Sequence, residues 1–495
     1  MSIKKIVDIA KKRGIILPNS EIYGGLSGFY DFGPLGFLMK KKIENFWRDF
    51  FVKSDDNIYE IETCTIMPEQ VWQASGHLKD FIDPLAQCDK CKSIFRADNL
   101  IQEKTGKFVE GMKPKELTKI IKKEKIKCPK CDRDLSDVRI FNLMLKTIIG
   151  SVGGSVAYLR PETAQGIFVN FKNILNATRA KLPFGVAQIG ISYRNEISPR
   201  HFLIRMREFR QMEIEHFIHP ERLDKNPNFE KFSKTEIRIF TREQQKENGK
   251  PVTISVGKAV KEEILPNQFI AYFLAKEFLW YKELGIPEEA LRFRHMLPEE
   301  TPHYSKGNFD MEIKFDFGWK EVVGNAYRTD FDLKTHAKHS GETFAVIEDG
   351  KKVVPHVIEP SFGIDRTIYG ILLYSFVEDK KRGWDWFKFP PKIAPMTAAI
   401  YPLVSKDNIP EKAEEVYDIL KKEFDVIYDE AGSIGKRYAR ADEIGIPFAI
   451  TVDYKTLDDG TVTLRDRDTT QQKRVKAKDL ARILKQLVNG EIKLF

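Results

Sequence analysis

The stretch that decides the fold is VAQIGISYRNEISPRHFLIRMREFRQMEIEHFI, residues 186–218. Its first part, Val186–Tyr193, alternates loosely between apolar and polar side chains, and its last part, Gln211–Ile218, alternates well. Such alternation is typical of β-strands, because successive side chains of a strand point to opposite faces. A basic loop, residues 197–209, joins the two parts. The stretch therefore predicts a long antiparallel hairpin.

Two short motifs each carry an arginine that could bind a phosphate group. SYRNE, residues 192–196, ends the first strand, and EPSFGIDR, residues 359–366, leads into an apolar helix expected over residues 364–376. Arg194 and Arg366 each carry a planar guanidinium suited to bidentate phosphate contacts. Taken alone, an Arg-x-Glu is more often an ion pair on a surface strand, and Glu359 is more often a turn residue. The functional interpretation depends on the joint occurrence of the two motifs.

Length and composition set the broad class. A chain of 495 residues is too long for one hydrophobic core, so about two to four domains are expected. The apolar content of 42% fits a folded globular protein. The net charge of +9 suits a partner with a phosphate backbone, although solubility alone also explains it. The sequence has neither an apolar run of about 18 residues nor a signal-peptide core, so we expect no membrane contact and a cytoplasmic location.

Four of the five cysteines form two Cys-x-x-Cys pairs, Cys88 with Cys91 and Cys128 with Cys131. Each pair can place two thiolates on one tetrahedral ion, which predicts a structural Zn²⁺ site. The separation of the pairs exceeds the usual ribbon spacing, and reduced thiols without a metal are the alternative. The Lys-rich segment between them has few apolar residues, so we expect the metal to order it.

The remaining pattern predicts an α+β protein of several parts. Residues 34–53 read as an amphipathic helix and residues 59–66 as a strand, whereas residues 226–256 read as a polar, irregular surface segment. Beyond a linker at 379–391, strands alternate with helices, as in a small α/β domain. The expected domains are a catalytic domain at 1–87 and 136–385, a zinc-binding insertion at 88–135, a surface insertion at 220–260, and a C-terminal domain at 392–495.

In their order and flanking residues, the two arginine motifs resemble motifs 2 and 3 of class II aminoacyl-tRNA synthetases. RPETAQG, residues 160–166, and EFRQME, residues 208–213, resemble the glycyl-tRNA synthetases of the homodimeric type. The resemblance covers nearly the whole chain. It implies a catalytic domain on an antiparallel sheet with a C-terminal anticodon-binding domain. It also implies ATP-dependent attachment of glycine to tRNA(Gly) through glycyl-adenylate, with Mg²⁺, and a dimer that the helix at 34–53 helps to form.

The resemblance also implies the site residues. Arg194 and Arg366 would be catalytic, Phe209 would stack on adenine, and Glu321 would bind Mg²⁺. The implied ATP site consists of Arg194, Asn195, Glu196, Ile204, Arg205, Met206, Arg207, Glu208, Phe209, Glu321, Val322, Gly363, Ile364, Asp365 and Arg366. The implied glycine site consists of Arg96, Glu162, Phe209, Arg210, Gln211, Met212, Glu213, Glu359, Pro360, Ser361, Phe362 and Gly363. Lys436, Arg437 and Arg440 would contact the anticodon, with a solvated helix face as the alternative.

Two other functions stay open at this point. A synthetase-like binding protein without catalysis should have lost Arg194, Glu196 or Arg366, and all three are present. An enzyme for proline, threonine or serine should lack the trio Glu162, Glu213 and Glu359. The sequence contains no Gly-x-x-x-x-Gly-Lys-Ser/Thr loop and no His-x-Gly-His or Lys-Met-Ser-Lys-Ser signature, which argues against a Rossmann-type ATP site.

Overall fold

The computed structural model describes residues 3–107, 109, 111–301 and 304–495. The first elements are α1 (Ile3–Lys12), β1 (Ile16–Pro18), β2 (Tyr30–Phe32), α2 (Pro34–Trp47), β3 (Ile58–Glu60), β4 (Ile66–Pro68), α3 (Glu69–Ala74) and α4 (His77–Asp80). Helix α2 starts at Pro34 and continues as a π-helical turn to Val52, close to the expected limits. The single strand expected at 59–66 is wrong, since β3 and β4 belong to different sheets. Between them Thr63 turns inward and donates a hydrogen bond to Gln188.

The cysteine-bearing segment forms a small module with its own core. Its elements are β5 (Ile82–Gln87), β6 (Ile94–Arg96), α5 (Ala97–Thr105), α6 (Pro114–Lys123) and β7 (Arg139–Asn142). The strands form one sheet in the order β6-β5-β7, which extends beyond the expected limits of 88 and 135. Leu100, Ile101, Leu117, Ile121 and Ile126 are buried against each other. The expectation of too few apolar residues is therefore wrong, because the lysines of α6 occupy its outer face while its apolar residues face inward.

A nine-stranded sheet forms the centre of the protein. The elements that follow β7 along the chain, within this sheet and around it, are β8 (Leu145–Ile149), β9 (Ser155–Leu159), α7 (Ala164–Thr178), β10 (Phe184–Tyr193), β11 (Glu208–Ile218), β12 (Glu236–Phe240), α8 (Arg242–Lys246), β13 (Val252–Ser255), α9 (Val256–Lys261), α10 (Gln268–Glu283), β14 (Leu291–His295), β15 (Asn308–Phe315), β16 (Gly318–Thr329), α11 (Phe331–Ser340), β17 (Val346–Glu348), β18 (Lys351–Val353), β19 (His356–Gly363) and α12 (Ile364–Ser375). The strand order is β13-β12-β14-β15-β16-β19-β11-β10-β3. Most neighbours are antiparallel, and α10 and α12 pack on the sheet through its main hydrophobic core.

The expected hairpin is confirmed, and the expected irregular segment is wrong. Strands β10 and β11 pair from Phe184 opposite Phe217 to Tyr193 opposite Glu208. Residues 226–256 are not irregular, because β12 and β13 lie within them and form one edge of the central sheet. Ile237 and Ile239 of β12 are fully buried, which explains why this polar segment is ordered. Helix α7 was not anticipated from the sequence.

The C-terminal part is a separate α/β layer structure, as expected. Before it, β20 (Phe376–Val377) and β21 (Trp386–Phe387) pair with each other, and Phe376 and Phe387 belong to the main hydrophobic core. The C-terminal elements are β22 (Ala398–Pro402), α13 (Ile409–Leu420), β23 (Val426–Tyr428), α14 (Ile434–Glu443), β24 (Phe448–Val452), α15 (Tyr454–Asp459), β25 (Thr461–Asp466), β26 (Gln472–Lys476) and α16 (Leu480–Val488). Its sheet has the order β23-β22-β24-β25-β26 and its own hydrophobic core. Across the described part of the chain, every helix is too short or too polar to cross a membrane.

Candidate active site

A cavity of about 440 Å³ opens between the β10–β11 hairpin and the start of α12. The central sheet forms its floor, and the hairpin loop and β16 form its walls. It brings together most residues expected at an ATP site, namely Arg194, Glu196, Ile204, Arg205, Met206, Phe209, Glu321, Val322, Gly363, Asp365 and Arg366. Residues separated by more than 150 positions in the sequence thus line one space, because β11 and β19 are adjacent strands.

Arg194 lies just past the end of β10, on one wall of the cavity. Its Nε donates a hydrogen bond to the carbonyl oxygen of Pro161 at 3.1 Å. Its guanidinium lies over two aromatic rings, 5.1 Å from the centre of Phe209 and 5.4 Å from that of Phe81. These contacts fix the plane of the guanidinium while its other nitrogens line the cavity, an arrangement suited to bidentate binding of phosphate.

Arg366 also lines the cavity, from the first turn of α12. Its Nε donates to the carbonyl oxygen of Ile204 at 3.1 Å. Its Nη1 donates to the carbonyl oxygen of Glu321 at 2.9 Å and pairs with that residue's carboxylate at 3.1 Å. The adjacent Asp365 accepts hydrogen bonds from the backbone and side chain of Arg210 at 2.6 and 3.3 Å. Asp365 therefore orients Arg210.

Two of the three arginines in the hairpin loop, Arg205 and Arg207, have different surroundings. Arg205 lines the cavity, and its Nε donates to the Glu196 carboxylate at 2.7 Å. The Arg207 guanidinium donates instead to backbone carbonyl oxygens, those of Glu196 at 2.9 and 3.1 Å and Ser27 at 2.8 Å. Arg207 does not line the cavity. Arg205 is therefore placed to contact a ligand in the cavity, whereas Arg207 attaches the loop to the N-terminal segment.

Three carboxylates form an acidic corner of the same cavity: Asp310, Glu312 and Glu321. Burial raises the pKa of Asp310 well above its ordinary value, and the charges of Glu321 and Glu312 raise it further. Crowded carboxylates favour either a bound proton or a cation, and carboxylate oxygens are the ligands that Mg²⁺ prefers. The donor type therefore suits Mg²⁺, but among the described residues these three carboxylates do not converge within 4.8 Å, and Glu312 already accepts a hydrogen bond from Arg292 at 2.6 Å. Only Glu321 was expected; the signal for the other two is the i, i+2 acidic spacing in NFDMEIKF, residues 308–315.

A second, deeper group of charged residues adjoins the cavity through Ser361 and Gln211. Gln211 Nε2 donates to Ser361 Oγ at 3.1 Å, and Ser361 pairs with Glu213 in the β11–β19 register. Thr163 donates to Glu213. Arg328 donates to Glu359 at 3.0 Å. All three acids expected at the glycine site are therefore in this group. Glu162 and Glu359 lie near Arg328, and Glu213 lies beside Ser361.

Arg328 and His77 are members of this group that the sequence did not identify. Arg328 is buried and binds both carboxylate oxygens of Asp332 at 2.8 and 2.9 Å. His77 Nε2 lies 3.5 Å from Glu162. Burial opposes ionisation of Glu162, but His77 and Arg328 hold its pKa below the ordinary value. Burial raises the pKa of Glu213 and of Glu359. The pocket thus contains carboxylates whose pKa values are shifted in opposite directions, which is common at functional sites.

Several expected site residues lie outside the cavity wall. Arg96 pairs with Asp83 and Asp98 inside the cysteine module. Met212 and Ile364 are buried in the main core. Asn195, Glu208 and Pro360 likewise do not line the cavity, whereas Phe209, Arg210, Gln211, Phe362 and Gly363 do. A strand places alternate residues on opposite faces, which separates Met212 from its neighbours Gln211 and Glu213.

The four paired cysteines converge on one point. Sγ of Cys88 lies 3.4 Å from Sγ of Cys131, and Sγ of Cys91 lies 3.6 Å from Sγ of Cys128. All four sulfur atoms lie within 4.8 Å of one another. A tetrahedral Zn²⁺ with bonds of about 2.3 Å requires sulfurs about 3.8 Å apart, so the set fits this metal.

The C-terminal basic residues differ in exposure. Arg437 is only 4% exposed, and its guanidinium donates to carbonyl oxygens of Gly432, Pro402 and Glu430. It is therefore an internal residue, and the expected RNA contact by Arg437 is wrong. Arg440 pairs with Asp429 at 2.6 Å. Lys436 is exposed, as expected.

Comparison with known proteins agrees with this architecture. The family model "tRNA synthetase class II core domain (G, H, P, S and T)" matches residues 153–374, and "Anticodon binding domain" matches residues 397–487. The expected fold class, a class II core followed by an anticodon domain, is thereby confirmed.

Relatives match over nearly their whole length. The glycine--tRNA ligase of Methanothermobacter thermautotrophicus is 41% identical over 98% of this chain and 99% of its own. Those of Pyrococcus furiosus and Methanocaldococcus jannaschii are 42% and 40% identical, each over 98% of both chains. The chain therefore belongs to the glycine--tRNA ligase family.

Proposed function

We propose that this chain activates glycine with ATP and attaches it to tRNA(Gly). The observation that carries the proposal is that Arg194 and Arg366 line one cavity, beside a pocket of buried carboxylates. The names of the relatives support the choice of glycine over proline, threonine or serine. The presence of both arginines and of Glu196 argues against a binding protein without catalysis.

In the first step, a carboxylate oxygen of glycine attacks the α-phosphorus of ATP and pyrophosphate leaves. Arg194 would bind the reacting phosphate and Arg366 the γ-phosphate, so that two fixed guanidinium groups stabilise the charge that develops on the phosphate oxygens. Phe209 would stack on adenine, and Arg205 would bind the triphosphate. Glu321, with Asp310 nearby, would supply carboxylate oxygens to Mg²⁺, which when bound neutralises phosphate charge.

The deeper pocket would hold the ammonium group of glycine. Glu162, Glu213 and Glu359 supply negative charge, and Ser361 supplies a polar wall next to the cavity. Bulky charged side chains leave no apolar space for a substrate side chain. Because glycine has no smaller competitor, steric exclusion suffices for selectivity, whereas rejecting a missing methylene elsewhere gains only about 1–3 kcal/mol. In the second step the terminal ribose 3′-hydroxyl attacks the glycyl carbonyl carbon and AMP leaves.

We further propose a structural Zn²⁺ and a homodimer. The spacing of the four sulfur atoms supports the metal. Exposed apolar side chains support the dimer: Ile22 is 87% exposed, Tyr23 88%, Leu26 64% and Phe37 52%, all before or within α2. Exposed apolar clusters of this kind mark protein contacts. The domain limits and the cytoplasmic location expected from the sequence also remain proposals, as does anticodon contact by Lys436 and Arg440.

Aminoacylation with labelled glycine tests the proposal. Purified protein, ATP and Mg²⁺ should transfer glycine to a tRNA(Gly) transcript but not to a tRNA(Pro), tRNA(Thr) or tRNA(Ser) transcript. Transfer of proline, threonine or serine to its own transcript, with none of glycine, would refute the assignment. Size measurement by light scattering tests the dimer, with a monomer at micromolar concentration as the contrary result.

A further inference from the structure

Glu215 is a carboxylate that the proposed mechanism does not use. It lies on β11 two residues after Glu213, so both side chains point from the same face of the strand. It is fully buried, and neither carboxylate oxygen accepts a hydrogen bond from any described residue. An oxygen of Glu215 lies within 4.8 Å of oxygens of Glu213 and Glu359. Three buried carboxylates therefore meet at the floor of the proposed glycine pocket.

The charge around this trio does not balance if all three are ionised. The groups that face Glu215 are Glu213 on its own strand, Glu359 from β19, Arg328 from β16 and Asp332 from α11. Arg328 is the single cation among them, and Asp332 engages it through two hydrogen bonds. Buried like charges at this distance cannot all remain ionised, because each unpaired buried ion costs several kcal/mol.

Hydrogen-bond partners single out Glu215 as the holder of a proton. Glu359 accepts from Arg328, and Glu213 accepts from Thr163. Both contacts favour the ionised form of their acceptor. Glu215 has no such donor among the described residues. Burial raises the pKa of Glu215 well above its ordinary value, and the neighbouring charge of Glu359 raises it further.

We propose that Glu215 is a positioning residue of the glycine pocket that remains protonated and donates its one O–H hydrogen to a neighbouring carboxylate, that of Glu213 or Glu359. The proton leaves those two carboxylates ionised and close together, as binding of one ammonium group requires. This inference rests on the proposed glycine site, but the protonation itself does not depend on catalysis.

Two substitutions separate this role from a merely structural one. Glu215→Ala removes the donor and should raise the glycine KM about tenfold or more, with a smaller change in the ATP KM. Glu215→Gln keeps a neutral donor of the same shape and should restore most of the glycine affinity. A Gln variant as impaired as the Ala variant, or one that does not fold, would overturn the proposal, because an ionised carboxylate would then be required.

Thermal unfolding at several pH values tests the protonation without any substrate. A carboxyl with a raised folded-state pKa stabilises the fold fully below its unfolded pKa of about 4.3, and this contribution is lost as pH rises. The wild-type protein should lose this contribution as pH is raised from about 5 to 8, whereas Glu215→Gln should not. The difference obtained by subtracting the wild-type Tm from the variant Tm should therefore become more positive over that range. Glu414→Gln, a change of an exposed carboxylate on α13, is the control and should show a constant difference.

Infrared spectroscopy gives a direct signature. At neutral pH the wild-type protein should show a protonated-carboxyl stretching band that Glu215→Gln lacks. Identical spectra together with a pH-independent Tm difference would overturn the proposal, as would a metal ion bound at this trio in elemental analysis. If the band and the Tm trend are present but glycine is not activated, the protonation stands and the proposed function fails.

Discussion

Replacing Arg194 by Gln should remove most adenylate formation while leaving the fold intact. The substitution loses the guanidinium contacts with Phe209 and Phe81, worth about 0.5–1 kcal/mol each at a partly exposed site. A Gln side chain can still donate to the Pro161 carbonyl oxygen, so little stability is lost. A guanidinium aimed at developing phosphate charge contributes about 2.7–4 kcal/mol, so the exchange rate should fall about 10²–10³-fold.

Arg207→Gln is the matched control, since it changes the same residue type in the same hairpin. Its guanidinium donates to backbone carbonyl oxygens of Glu196 and Ser27 outside the cavity wall. Arg207→Gln should lower Tm but keep glycine-dependent ATP–pyrophosphate exchange. The assay is that exchange at saturating glycine and ATP, with folding checked by circular dichroism. A folded Arg194→Gln protein with near-normal exchange, or an equal loss in both variants, would refute the reasoning.

Four further substitutions test other parts of the account. Glu359→Gln removes a charge from the ammonium site and should raise the glycine KM about tenfold or more; a change confined to the ATP KM would move Glu359 to the nucleotide site. Cys128→Ser should lower bound Zn²⁺ from one per chain and impair aminoacylation more than exchange; full aminoacylation activity with no zinc by mass spectrometry would show that the cysteines are not a metal site. Arg437→Ala should lower Tm because three carbonyl groups lose a buried donor, whereas Lys436→Ala should leave Tm unchanged and weaken tRNA binding; the reverse result would make Arg437 the RNA contact.

The hairpin and its arginine could be predicted because the information is local. Alternation over residues 186–218 fixes two strands, and Arg194 follows directly from the end of the first. Arg366 could be placed for the same reason, since it opens an apolar helix. The family resemblance implied that these two arginines share an ATP site, but the pairing of β11 with β19 that brings them to one cavity was not predicted.

The rest depends on contacts between distant residues. Arg328 is central to the deep pocket because β16 lies beside β19, a neighbourhood that no local pattern indicates. Asp310 reaches the cavity through β15 in the same way. For Arg437 the sequence led to a wrong prediction. A basic residue at a helix start has the same sequence pattern whether its side chain is exposed or donates to internal carbonyl groups. Burial of charged residues is a tertiary property, and sequence periodicity does not report it.

ATP–pyrophosphate exchange measured with each of the twenty amino acids tests the central claim most directly. The assay isolates the first chemical step and needs no tRNA. Glycine alone should support exchange, and Arg194→Gln should abolish most of it. Exchange with proline, threonine or serine at a rate comparable to that with glycine, or none with glycine from folded wild-type protein, would contradict the account.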